Sequence, residues 1–502
     1  MDPDARDLYN RPAMRQRNQS RKTPVVLLFA LVITISYAQN AHAEDTAGER
    51  FQALKKALAS TANDSPGNSR FGISVVDVTT GEEIYSKNGD DPFNPASNAK
   101  IVTTACALKI LGPDYRYVTG LYGRADGTVI RGPIYVKGRG DPTLSTADLY
   151  TMVRDMAAGG IRRVEGGVVV DDTFFDAEND PFAYDQQPNE DAAFRAPVGA
   201  ASVNHNAVSI TIRPGGQPGG PAGVTVDPKG YAVLQNDSVT TLEGSHNPKI
   251  SAVSMENRTK VRVWGTVPMG SRPVTYTRRA DNPSLLLGNS LKAVLEEAGI
   301  TVGGTVQTGP LPQGSPLIAQ HSSEPLSIIL YEAGKMSNNY VTETALKTIG
   351  AESGKGPGTW ASALEAAGKQ LAEWGMKPKT YVYRNGSGLF DANRFSPKQF
   401  TAVLRGAYLD ASIRPEFVAQ LAVGGVDGTI ESRYRDPSAA GMVRAKTGTL
   451  NDVSTLSGFV FDREGTHPLA FSILVNDAAG YVSASRAFQE KIVTAMAKFL
   501  NK

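Results

Sequence analysis

Apolar and polar positions alternate at two different spacings along this chain, and the places where the spacing changes divide it. Phe51 to Leu58 has the pattern of a short amphipathic helix. Phe71 to Val78 then predicts a strand, Thr80-Gly81-Glu82 a turn and Glu83 to Ser86 a return strand, so the unit is a hairpin. After a loop holding Pro92 and Pro95, Ser97 to Leu111 becomes helical, with Ile101, Val102, Ala105, Leu108 and Ile110 apolar and Gly112-Pro113 as the stop. From about 113 to 320 the texture is different. Short β-like runs such as Gly132 to Val136 and Gly167 to Val170 are separated by turns rich in Gly, Pro and Asp, and Arg213 to Pro221 has the composition of a surface loop. Helical spacing returns over Pro325 to Ile349 and Thr359 to Trp374. Ser457 to Phe461 and Leu469 to Val475 predict strands, and Ala484 to Leu500 a last helix with Phe488, Ile492, Met496 and Phe499 on one face. That face suits either a membrane surface or the terminal strands. Its polar side is not notably basic, which favours the strands.

The two ends of the chain therefore supply strands and helices to one α+β domain, residues 44–112 with 321–502, interrupted by a β-rich insertion over 113–320. A length of 502 residues suggests about three domains at roughly 150 residues each, with the insertion counting as two small ones. Hydrophobic residues at 41% and charged residues at 20% are globular proportions. A net charge of +2 leaves no electrostatic footprint for nucleic acid.

Residues 1–43 read as an export signal. Arg15, Arg17, Arg21 and Lys22 form a positive region, Val25 to Ile35 an apolar one, and Ala41-His42-Ala43 a cleavage site before Glu44. The rival reading is an uncleaved anchor, but the apolar stretch is short against the roughly 20 residues that span a bilayer. Met14 is an alternative start. After cleavage no stable membrane span is expected, and the protein belongs in the periplasm or cell envelope.

Familiar chemical devices are missing. The single cysteine, Cys106, permits no intrachain disulfide, and its helical, apolar setting suits a small buried side chain. His205, His246, His321 and His467 stand far apart without metal-ligand spacing, so neither metal nor cofactor is expected. There is no GxSxG elbow, P-loop or GxGxxG fingerprint.

What remains is a series of three short motifs: Ser97-Asn98-Ala99-Lys100, Ser337-Asn338-Asn339 and Lys446-Thr447-Gly448-Thr449. Singly each is weak; in this order they form a coherent site. Ser97 begins a helix and Lys100 follows one turn later on the same face. A serine hydroxyl needs a base within hydrogen-bond reach, and a lysine serves if burial and a neighbouring cation such as Lys446 depress its pKa. Ser337 can relay a proton to a leaving amine, and Asn339 can hold a substrate amide and orient Lys100. The Lys446-Thr447-Gly448 strand offers an edge to an extended peptide and a cation for a terminal carboxylate. The backbone N–H groups of Ser97 and Thr449 are the expected oxyanion hole.

With these motifs the chain resembles the class C penicillin-binding proteins of low molecular mass, the D-alanyl-D-alanine carboxypeptidase/endopeptidases related to the serine β-lactamases. Lys137 to Leu144, Asp171 to Phe175, Ser202 to Asn206, Asn385 to Leu389 and Gly425 to Thr429 are similar to further segments of that family. The long interval from Ser97 to Ser337 matches its large insertion. The resemblance implies a β-lactamase/transpeptidase-like domain with an antiparallel sheet flanked by helices. It implies Ser97 as acylated nucleophile, Lys100 as base, Ser337 and Asn339 as the second element, and Lys446, Thr447 and Gly448 as the third. It implies peptidoglycan stem peptides and cross-links as substrates and β-lactam antibiotics as covalent inhibitors. Asp427 and Gly428 are expected to form a structural turn, and Arg139 and Asp141 to fix a junction. Two other functions compete. A β-lactamase-like hydrolase would have to hydrolyse its acyl-enzyme quickly, for which no deacylating glutamate is identifiable. A non-catalytic wall-binding relative would not be expected to keep Ser97, Lys100 and Lys446.

Overall fold

Two strands in the middle of the main sheet are buried along their whole length, Val453–Val460 and Leu469–Asn476. Strands covered on both faces need apolar or hydrogen-bonded residues at every position, and these supply them. The structure, a computed structural model, describes residues 51–187, 190–255 and 258–501. The segment read as an export signal lies outside the described residues. The helix expected near residue 51 is present and spans 51–61.

The main sheet has six antiparallel strands. In chain order they are β1 (Arg70–Asp77), β2 (Glu83–Lys87), β3 (Ala422–Val423), β4 (Val443–Leu450), β5 (Val453–Val460) and β6 (Leu469–Asn476). Their spatial order is β3-β4-β5-β6-β1-β2. Strands from opposite ends of the chain pair directly, with Ile73 opposite Ile473 and Ser74 opposite Ser472. The longer helices of this part are α1 (Ala99–Leu111), α2 (Leu326–Gly334), α3 (Asn339–Ser353), α4 (Trp360–Glu373), α5 (Pro397–Leu409) and α6 (Val482–Leu500). Helix α6 lies against β4, β5 and β6, as its apolar face favours. Phe488 meets Phe71 edge to face at 5.2 Å. Every residue of α1 from Ala99 to Leu108 is buried, the state of a helix apolar on all sides.

The helical texture of Pro325 to Ile349 is not one helix. Helix α2 ends at Gly334 and α3 starts at Asn339. Ser337 between them has φ +61°, and Asn338 caps α3 by accepting from the Val341 N–H at 3.2 Å. A left-handed residue followed by an Asn cap outweighs helical propensity here, and the result is a turn between two helices.

Residues 113–320 hold three sheets, one of seven strands and two of three. They also hold two helices that a β-rich reading omits, Thr146–Ala158 and Pro283–Glu297. The first begins in a Ser145/Asp148 capping box, and the second behind an Asn282 cap with Pro283 at its first position. One apolar cluster runs from Leu121 to Ala319. A second, built around α1, α3, α4 and α5, also takes in Phe175, Ala196, Val198 and Ala200 from the interrupting segment. Residues Leu54–Lys502 form one compact unit. Among the described residues no helix is long and apolar enough to cross a membrane.

Candidate active site

Ser97 lies in a short 3₁₀ turn, Ala96–Asn98, immediately before α1. Two glycines make that position possible. Gly388 has φ +73°, and a Cβ on it would stand 1.8 Å from the Ala96 carbonyl oxygen. A Cβ on Gly448 would stand 2.9 Å from the Ser97 nitrogen and 2.2 Å from Thr455 Oγ1. Only glycine lets β4 lie directly against the Ser97 turn.

Lys100, one turn into α1, is 1% exposed. Its Nζ donates to Ser97 Oγ at 3.0 Å, to Asn339 Oδ1 at 2.7 Å and to the Ser387 carbonyl at 2.8 Å. Burial first, and the Lys446 cation second, hold this ammonium well below the ordinary lysine pKa, while Glu343 works in the opposite direction. Lys446 is equally buried, and its Nζ donates to Ser337 Oγ at 2.9 Å and to the Thr447 carbonyl at 2.7 Å. Burial brings its pKa down to about 7, so it is not the permanently charged group that a surface lysine would be.

The structure brings all eight sequence-predicted residues to one place. Ser97, Ser337, Thr447, Gly448 and Thr449 line a cleft of about 510 Å³. Lys100, Asn339 and Lys446 stand behind it through the hydrogen bonds above. Strand β3 pairs with β4 only at Arg444 and Ala445. The Gly424 N–H bonds the Val443 carbonyl at 3.0 Å, and the antiparallel alternation then turns the Thr447 and Thr449 backbone groups toward that same edge. Beyond Ala445 this edge has no strand partner among the described residues. Thr449 also lines a second cleft of about 710 Å³, with Phe194, Leu389, Asp391, Leu450 and Asp477 among its other residues.

Asn339 also reaches the interrupting segment, its Nδ2 donating to the Phe194 carbonyl at 2.9 Å. Tyr184 and Ser387 share a hydroxyl hydrogen bond of 3.2 Å. No sequence spacing announces these contacts. Glu343 was missed as well. It lies in α3 four positions after Asn339, is wholly buried, and accepts from the Gly386 and Ser387 N–H groups at 2.9 and 2.7 Å. Its signal was an acidic residue on the same helical face as Asn339, visible only once a helix is known to begin there.

Other expectations find their places outside the chemistry. Asp427 accepts from the Val423 N–H and pairs with Lys335 at 2.6 Å, a turn-holding role. Arg139 pairs with Glu352 of α3 at 2.8 Å and covers the Phe174 ring. Asp141 lies 3.4 Å from His321. Cys106 is buried, and burial pushes its thiol pKa up.

The model of the D-Ala-D-Ala carboxypeptidase 3 (S13) family matches residues 54–502. A D-alanyl-D-alanine carboxypeptidase of Actinomadura sp. (strain R39) is 35% identical, over 95% of this chain and 90% of the relative. The crystal structure of penicillin binding protein 4 (dacB) from Haemophilus influenzae superposes with a TM-score of 0.75 at 23% identity, covering 89% of this chain and 99% of that one. The same Haemophilus protein complexed with a β-lactam superposes with a TM-score of 0.70 at 22% identity.

Proposed function

The chain belongs to the D-Ala-D-Ala carboxypeptidase 3 (S13) family, and from that premise we propose how its residues divide the work of a serine peptidase acting on peptidoglycan. Ser97 Oγ attacks the carbonyl carbon of a D-alanyl amide, and its proton passes to neutral Lys100. The oxyanion is held by the Ser97 and Thr449 N–H groups. Ser337, bonded to Lys446, conveys a proton to the departing amine. Water then hydrolyses the acyl-enzyme and regenerates the Ser97 hydroxyl. Asn339 keeps Lys100 aimed, and Lys446 with Thr447 receives the terminal carboxylate. A stem peptide extended along the free edge of β4 fills the two clefts that Thr449 lines. A β-lactam presents the same kind of amide carbonyl and leaves Ser97 acylated.

One observation carries this reading. A fully buried lysine has its Nζ 3.0 Å from the serine hydroxyl, with Asn339 Oδ1 and the Ser387 carbonyl free to take its two remaining N–H groups, beside a second buried lysine. A buried ammonium so close to another has strong reason to be neutral, which is what a base requires. The substrate lies outside the cytoplasmic membrane, which fits the export reading of residues 1–43. The same reading takes 44–112 with 321–502 as a discontinuous catalytic domain and 113–320 as its insertion, supported by the two apolar clusters. The test is covalent labelling by fluorescent penicillin. The intact protein is expected to form one adduct, at Ser97, and Ser97→Ala to form none while keeping its fold. An adduct on Ser97→Ala, or one mapping to another residue, would overturn the assignment.

A further inference from the structure

Among the described residues, Glu343 is the one buried carboxylate against this machinery that the scheme above does not use. It sits at the first full turn of α3, 0% exposed. A charged group taken out of water costs several kcal/mol unless well-aimed donors and an opposite charge repay it. Both repayments are present. Its two oxygens each accept from a backbone N–H, Gly386 on Oε2 and Ser387 on Oε1. Those amides belong to the turn whose Ser387 carbonyl receives Lys100. That turn is fixed on its other sides too. Thr103 Oγ1 donates to the Gly386 carbonyl at 2.7 Å, and the Gly388 N–H donates to Asn385 Oδ1 at 2.9 Å.

The charged and titratable groups that face Glu343 come from four directions. Lys100 projects from α1, with Lys446 of β4 beyond it. Tyr383 approaches from the segment before the 385–388 turn and Tyr184 from the interrupting region. Burial holds both phenols well above their ordinary pKa, so they stay neutral wherever the lysines titrate. Burial also pushes the Glu343 carboxyl up, against its two N–H donors and Lys100. Lys100 is thus coupled to Lys446 on one side and to the Glu343 carboxylate on the other.

Resting on the acylation reading above, we infer that Glu343 is a positioning residue. Its ionised carboxylate holds the 385–388 turn so that the Ser387 carbonyl meets Lys100, and its negative charge sets the pH at which Lys100 gives up its proton. Without that charge Lys100 loses the partner favouring its protonated form. Lys100 then remains neutral to lower pH. The acid limb of the pH profile therefore moves toward acid. A glutamine cannot imitate the geometry, since one of its side-chain atoms is an N–H donor facing a backbone N–H.

The experiment measures second-order acylation by benzylpenicillin from pH 5.5 to 9.5 for the wild-type protein, Glu343→Gln and Glu343→Asp, with thermal melting recorded for each. Glu343→Gln is expected to acylate at least about ten-fold more slowly near neutrality, with its acid limb displaced toward acid by about one pH unit. Glu343→Asp keeps the charge but shortens the reach, so its rate falls while its acid limb stays within a few tenths of a unit. If Glu343→Gln does not fold, the aspartate variant decides alone. A wild-type rate in Glu343→Asp overturns the geometric role, and an acid limb displaced toward acid in it overturns the charge role. An unmoved acid limb or an undiminished rate in Glu343→Gln overturns the inference. A wild-type protein that forms no penicillin adduct refutes the acylation reading itself, before either variant is measured.

Discussion

Lys100 and Lys446 are both 1% exposed, yet they are held in different ways. Lys100 is surrounded by three acceptors from three segments: its own turn, α3 and the 385–388 turn. Lys446 meets the Ser337 hydroxyl from the α2–α3 turn and a carbonyl of its own strand. Lys100 feels a neighbouring cation and a neighbouring carboxylate as well as burial, whereas Lys446 is lowered by burial. Two identical side chains thus acquire separate tasks from their surroundings. On the proposed reading, one is enclosed where its free electron pair is useful. The other stands behind a hydroxyl that faces the cleft, where its charge is useful when a carboxylate arrives.

The largest expected effect tests the first half of this contrast. Lys100→Arg keeps a cation but removes the base, because a guanidinium does not give up its proton in the working range. Acylation by penicillin should fall by roughly 10²–10⁴-fold, and further if Ser97 and Lys100 act as a unit. Rates measured across pH should also lose the acid limb. A small loss, or an unchanged profile, would show that Lys100 is not the base.

Lys446→Arg should be milder, about ten-fold, and expressed more in substrate affinity than in the chemical step. Its pH behaviour gives the sharper comparison. With a pKa of about 7, Lys446 loses its proton as pH rises through neutrality. Affinity for carboxylate-bearing peptides should therefore be highest below about pH 7 and weaken above it in the wild-type protein. In Lys446→Arg that alkaline loss should vanish, because the arginine stays charged. Binding that weakens above neutrality in both proteins would assign the effect elsewhere. Asn339→Asp probes the other lysine: a carboxylate 2.7 Å from Lys100 favours its ammonium. The acid limb of acylation should then move to higher pH by about one unit. An unmoved limb would mean that the limb does not report Lys100.

Much of this contrast could be read from the chain, because the motifs are local. Ser97 and Lys100 are one helical turn apart, and the Lys446-Thr447-Gly448 run lies in a strand whose period is plain. The hairpin near residue 71 and the terminal strands were legible for the same reason. What escaped depends on folding at a distance or on backbone conformation. The Pro325 to Ile349 stretch carries continuous helical spacing, and nothing in that spacing reveals that Ser337 takes a left-handed conformation. Phe194 and Tyr184 reach the site through a backbone carbonyl and a phenol, neither tied to a periodic pattern. Glu343 looks like an ordinary helical acid until the partner turn from residues 385–388 is placed over it. The two helices within 113–320 did carry start signals, Ser145 with Asp148 and Asn282-Pro283, which the surrounding glycine and proline obscured.

The smallest predicted effect lies on the Lys446 side. Thr447 Oγ1 donates to Thr429 Oγ1 at 2.8 Å, joining the free edge of β4 to the 425–429 turn. Thr429→Val keeps the shape and deletes the acceptor. Thr447 is only half-buried, so water can replace the lost partner, and the net loss should be about 0.5–1.5 kcal/mol. That corresponds to roughly two- to ten-fold in KM for a D-alanyl peptide with kcat unchanged, since the bond positions a substrate-binding hydroxyl and not the base. Steady-state kinetics on the variant separates the two constants. A fall in kcat equal to the rise in KM would mean that Thr429 influences the reacting atoms, and that the Lys446 side does more than receive a carboxylate.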